Sequence, residues 1–97
     1  MQNHANQQQC FELITETTRL QQQIQERAER EASPSAHTCR LWGRYHDAMA
    51  QLLTLRPAHD ADAKARQVRN GQQHKAEAET WWSMAKALIE GVGATGA

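Results

Sequence analysis

The sequence predicts an all-α fold: a small three- or four-helix bundle with a long amphipathic N-terminal helix. Three observations carry this. Ala, with 16 copies in 97 residues, dominates together with Gln, Glu and Arg, all strong helix formers. Apolar residues recur at spacings of three and four, the period of one helix face. The two prolines, Pro34 and Pro57, cut the chain into helix-length pieces. The length is that of one domain, 1–97. Residues 1–8 and 91–97, polar or glycine-rich, are expected as flexible tails.

Helix 1 is expected from about Gln9 to Glu31. Cys10, Leu13, Thr17, Leu20 and Ile24 follow a 3-4-3-4 spacing, with Phe11 and Ile14 widening the stripe. Beyond Ile24 the pattern gives way to Glu26, Arg27, Glu29, Arg30 and Glu31, a solvated end. A helix of that length spans about 35 Å, longer than so small a core needs. Such an overhang suits self-association or partner binding. Ser33-Pro34 marks the boundary, with Ser33 expected as the N-cap.

Helix 2 follows, to Leu55. It is the richest apolar segment (Leu41, Trp42, Tyr45, Ala48, Met49, Leu52, Leu53) and the expected centre of the core. Gly43 in its middle costs about 1 kcal/mol relative to Ala, which implies close approach by another helix, near Trp81. Arg56-Pro57 ends it. His59-Asp60-Ala61-Asp62 opens helix 3 with carboxylates at the positive end of the helix dipole. Asn70-Gly71 favours a break or kink, with a last helix from about Gln73 to Glu90 and Ala78, Trp81, Ala85, Leu88 and Val92 along one stripe; the alternative is one long helix continuing through Gly71 to Glu90.

Composition narrows the function. Leu, Ile, Val and Phe together number 13, yet there are three tryptophans. A thin aliphatic core with abundant indole points to a partner surface, where Trp is favoured. Net charge is zero, whereas a general nucleic-acid binder carries a basic excess. Cys10 and Cys39 fit neither a disulfide framework nor a zinc pattern. The N-terminus has no signal-peptide architecture and no apolar run is long enough to span a bilayer, so a cytoplasmic location is expected.

Trp81 and Trp82 point about 100° apart on a helix. Trp81, between Ala78 and Ala85, is expected inward. Trp82 either belongs to a broad core or, beside Lys86 and Ile89, faces a partner. Among the histidines, only His59 with Asp62 and His74 with Glu77 have the i,i+3 spacing of helical metal ligands, and a third ligand must come from another segment. No metal site and no cofactor is therefore expected. Nucleophile elbow, phosphate loop and paired-carboxylate patterns are absent, and a helical chain of this size offers little room for a pocket of a few hundred Å³. No catalytic residue and no enzymatic activity is expected.

Gly43-Arg44-Tyr45-His46-Asp47-Ala48 followed by Leu55-Arg56-Pro57 resembles the second helix of a tetratricopeptide repeat. The stretch from Ala48 to Pro57 is about three residues short for that repeat, and the preceding helix lacks the W-x2-L-G-x2-Y order, so no family is assigned. A helix-turn-helix aligned on Gly71 puts Gln67 where a small residue belongs and Glu77 where an apolar one belongs.

The expected function is a non-enzymatic protein-interaction module, an adaptor, chaperone or inhibitor that masks a surface of another protein or pairs with itself. Its contact residues are expected to be Leu13, Leu20 and Ile24 on helix 1, and Trp82 and Ile89 on the last helix. The alternative is a dimeric helical nucleic-acid-binding regulator using Arg66, Arg69 and Lys75.

Overall fold

The computed structural model describes residues 2–91, and side chains from residue 6 onward. Three helices account for nearly all of it: α1 (Gln2–Ala28), α2 (Ala36–Leu55) and α3 (Ala61–Glu90). No helix among these residues is long and apolar enough to cross a membrane. The sequence-expected tail at 91–97 lies, from Val92 onward, outside the described residues.

Four boundaries or joints differ from expectation, each for a local reason. α1 reaches back to Gln2, since its Gln-rich start contains no helix breaker. It also stops at Ala28, three residues short of Glu31. The N-cap of α2 is Ser35 rather than Ser33; its hydroxyl accepts from the Thr38 N–H at 3.3 Å. Thr38 in turn donates to the Glu31 carboxylate at 2.7 Å, tying the end of the α1–α2 loop to the first turn of α2. These hydroxyl bonds, Thr38 before Ser35, hold the Glu31 carboxyl below its ordinary value.

The fourth difference is at Asn70-Gly71. α3 runs through it as one 30-residue helix, and among the described residues the only glycine with positive φ is Gly91, at 71°, which closes the helix. The described residues therefore form three helices rather than four. Gly71 forgoes about 1 kcal/mol of propensity, but no proline follows it and α3 packs on α2 on both sides of it, at Gln67 and at His74. The Gln67 amide donates to the carbonyls of Leu53 and Arg56, satisfying orphan acceptors at the end of α2. Asp60 is the N-cap of α3, accepting from Ala63 N–H at 2.8 Å.

α2 lies in the middle. It packs on α1 and on α3, whereas no Cα atom of α1 comes within 8 Å of one in α3 among the described residues. Leu41 joins Leu20 and Ile24 of α1 in the buried cluster; Gly43, about 200° further round α2, meets Trp82 of α3. The expected stripe on α1 is the one that turns inward: Thr17, Leu20 and Ile24 are buried, Cys10 and Leu13 half-buried. Phe11 and Ile14 face outward. Ala78 and Ala85, buried beside Trp81, let α3 approach α2 closely. On the polar side, Glu16 pairs with Arg44 at 3.3 Å across α1 and α2, a surface contact worth about 0–1 kcal/mol.

Candidate functional site

An unbroken column of four rings runs along the seam of α2 and α3. Trp81 stacks on Trp42 (centroids 5.4 Å apart, planes 12° apart). Trp42 stacks on His46, one turn along α2, at 5.8 Å. His46 meets His74 of α3 at 5.1 Å. Antiparallel packing explains the order, because the four-residue step on α2 is matched by the seven-residue step back from Trp81 to His74. Tyr45 approaches Trp42 and His46 edge-on, and its hydroxyl accepts from the Gln21 amide of α1 at 3.0 Å.

His46 is the chemical centre of the column. It is buried at 7% exposure, with Nδ1 2.8 Å from Nδ1 of His74 and Nε2 2.9 Å from a carboxylate oxygen of Glu77. Burial is the main reason its imidazole sits below the ordinary value; Glu77 and Asp47 oppose that effect and His74 adds to it. A neutral His46 donates Nε2–H to Glu77, which leaves the Nδ1 lone pair to face His74. One atom from each of the three side chains lies within 4.8 Å of the others, a donor set of the kind that binds metal. The sequence reading gave His74 and Glu77 as a pair and no metal site; the structure supplies the second segment that the pair lacked. His46 stands 28 residues away, and only the register of α2 on α3 brings it in, so periodicity alone gave no signal for it.

The same chemistry sets a pH dependence. A folded-state value below the unfolded one means that the unfolded chain takes up the proton first, so stability falls as pH drops below about 6.5. In metal-free buffer the urea midpoint is expected to be lower at about pH 5.5 than at about pH 7.5, and His46→Gln to shrink the difference. An equal pH response in the variant assigns the titration elsewhere.

The residues expected at a partner surface separate into groups. Leu20 (0% exposed) and Ile24 (5%) are core residues: Leu41 and Trp42 cover them, which corrects their assignment to an exposed arm. Leu13 is half-buried. Trp82 lies over Gly43 and donates its indole N–H to Asp47 at 3.0 Å, yet stays 36% exposed. With Ile89, Arg40 and Lys86 it lines a shallow hollow. Arg66, Arg69 and Lys75 are all exposed, but Arg66 and Lys75 lie about 180° apart round α3, so the three form no single patch.

One expectation about space is overturned. A cleft of about 480 Å³ opens between the C-terminal half of α2 and the N-terminal half of α3, lined by Ala50, Leu53, Lys64, Val68, Gly71 and Lys75 among others. Small residues make it: Gly71 has no atom within 4 Å of where a Cβ would stand.

On the side of the bundle that carries the ring column, apolar residues continue outward. Leu88 lies about 20° and Met84 about 60° from Trp81 round α3, both turned away from Trp82. Ile14 lies about 20° from Gln21 round α1. All three are exposed, at 47%, 40% and 51% respectively. Ile14 stands about 10 Å along α1 from Gln21, toward the C-terminal end of α2, and Met84 and Leu88 stand past Trp81 toward its N-terminal end, so they flank the half-buried Trp42 and Tyr45 from opposite ends. Compared with models of known protein families, with curated proteins and with solved structures, the chain matches none.

Proposed function

We propose that this protein is a non-enzymatic interaction module whose groove takes an apolar helix, and that a second copy of the chain supplies it. The observation that carries the reading is the separation of α1 and α3, whose Cα atoms nowhere approach within 8 Å among the described residues. A three-helix bundle ordinarily closes on itself and buries each apolar stripe against both other helices. Here one long side of α2 keeps half-buried aromatic residues, Trp42 and Tyr45, and exposed Ile14 on α1 and Met84 and Leu88 on α3 stand near its two ends. A fourth helix laid on that side completes the core.

Self-pairing is favoured because ridge and groove adjoin on the same molecule. Met84 and Leu88, four residues apart, form the i,i+4 anchor pair with which helices enter apolar grooves. A two-fold axis lets each copy insert its ridge into the groove of the other. Zero net charge opposes neither copy's approach. Masking of a surface, as by an adaptor, small chaperone or inhibitor, is the wider class to which such a module belongs.

The test is a Met84→Glu, Leu88→Glu double variant. Both side chains are substantially exposed, so the fold tolerates the change, while two buried charges in the interface are expected to raise the dissociation constant at least about 100-fold. Association as tight as that of the wild type excludes this groove.

A further inference from the structure

We propose that His46 and His74 together bind a divalent transition-metal ion of the zinc class through their facing Nδ1 atoms, with Glu77 holding His46 from behind. The proposal is independent of the interaction reading.

The two Nδ1 atoms are 2.8 Å apart and come from different helices. In the metal-free chain only one proton fits between them. An ion held by both nitrogens at about 2.0–2.1 Å in tetrahedral geometry sets them about 3.3 Å apart. The site therefore opens by about half an ångström when the ion replaces that proton, a ring tilt rather than a helix shift.

Glu77 makes the arrangement more than a pair of neighbouring histidines. Metal-binding histidines commonly donate their other ring N–H to a carboxylate, which fixes tautomer and orientation. Glu77 stands 2.9 Å from His46 Nε2 and forces the lone pair onto Nδ1, toward His74. Trp42, stacked at 5.8 Å on His46, restrains the ring from its face. His46 is buried, His74 half-buried and Glu77 exposed, so the seat is fixed while solvent reaches the remaining coordination positions. Two imidazole nitrogens beside a carboxylate select zinc, cobalt, nickel or copper over magnesium or calcium, which prefer all-oxygen shells.

The probes are zinc(II) by calorimetry and cobalt(II) by its visible absorption, on the full chain. The wild type is expected to take up one ion per chain, and bound cobalt to show the intense bands of low-coordinate geometry. His74→Ala, checked for retained helicity, should weaken zinc binding at least about 10-fold, and Glu77→Gln by about 10–100-fold. His59→Ala and Cys10→Ser should change nothing. The site is overturned by an absence of stoichiometric zinc uptake, by uptake that His74→Ala leaves intact, or by uptake that depends on His59 or Cys10 instead.

Discussion

Leu20→Ala is expected to lower stability by about 2–5 kcal/mol without acting on any interface. Leu20 is one of the two largest side chains with essentially no exposure, the other being Cys39, and it packs with Ile24 and Leu41 where α1 meets α2. Truncation loses the transfer energy of the deleted methyl groups and leaves a cavity, because the neighbouring Trp42 and Tyr45 are fixed by stacking and by the Gln21 bond. Domains of this size are stable by about 5–15 kcal/mol, so the loss is a large share of the total. The check is a pair of urea curves with equal slopes and a shifted midpoint. A variant as stable as the wild type but weaker in self-association would return Leu20 to the partner surface.

Gly43→Ala should have opposite signs in two backgrounds. A Cβ at Gly43 would stand 2.6 Å from Cε2 of Trp82, inside any real contact distance, so in the wild type the indole must move off α2 and strain its bond to Asp47. Overpacking of this kind destabilises by about 1–3 kcal/mol. In the Trp82→Ala background that obstacle is gone, and alanine's helix propensity should stabilise by about 1 kcal/mol. Trp82→Ala alone should destabilise by about 1–3 kcal/mol, because the ring covers Gly43 and holds Asp47 as well as facing solvent. The double-mutant cycle isolates the contact. Equal stabilisation by Gly43→Ala in both backgrounds would place Trp82 away from Gly43.

These residues also show what the sequence could and could not reveal. The all-helical class, the breaks near Pro34 and Pro57, the apolar stripe Thr17-Leu20-Ile24 and the close approach at Gly43 were legible because they follow from period, breakers and glycine cost. The sequence placed that approach near Trp81; the residue over Gly43 is its neighbour Trp82, a one-residue difference that packing register decides. The turn chemistry at Asn70-Gly71 argued for a break, and tertiary packing on both sides of Gly71 overrode it. The histidine column was not legible. His46, His74 and Glu77 converge only through the register of α2 on α3, which no local pattern encodes. Nor did the stripe on α1 say whether it covered α2 or a partner. Leu20 and Ile24 look alike in either case, and only the packing shows that α2 already occupies them. The cleft beside Gly71 likewise arises from small residues on two helices meeting.

Absolute mass in solution by light scattering across a concentration range, with helicity recorded on the same samples, tests the groove most directly. The account predicts a dimer that dissociates on dilution and that the Met84→Glu, Leu88→Glu variant no longer forms. A fully helical monomer at every concentration would contradict it, because the open side of α2 would then be stable uncovered by a second copy.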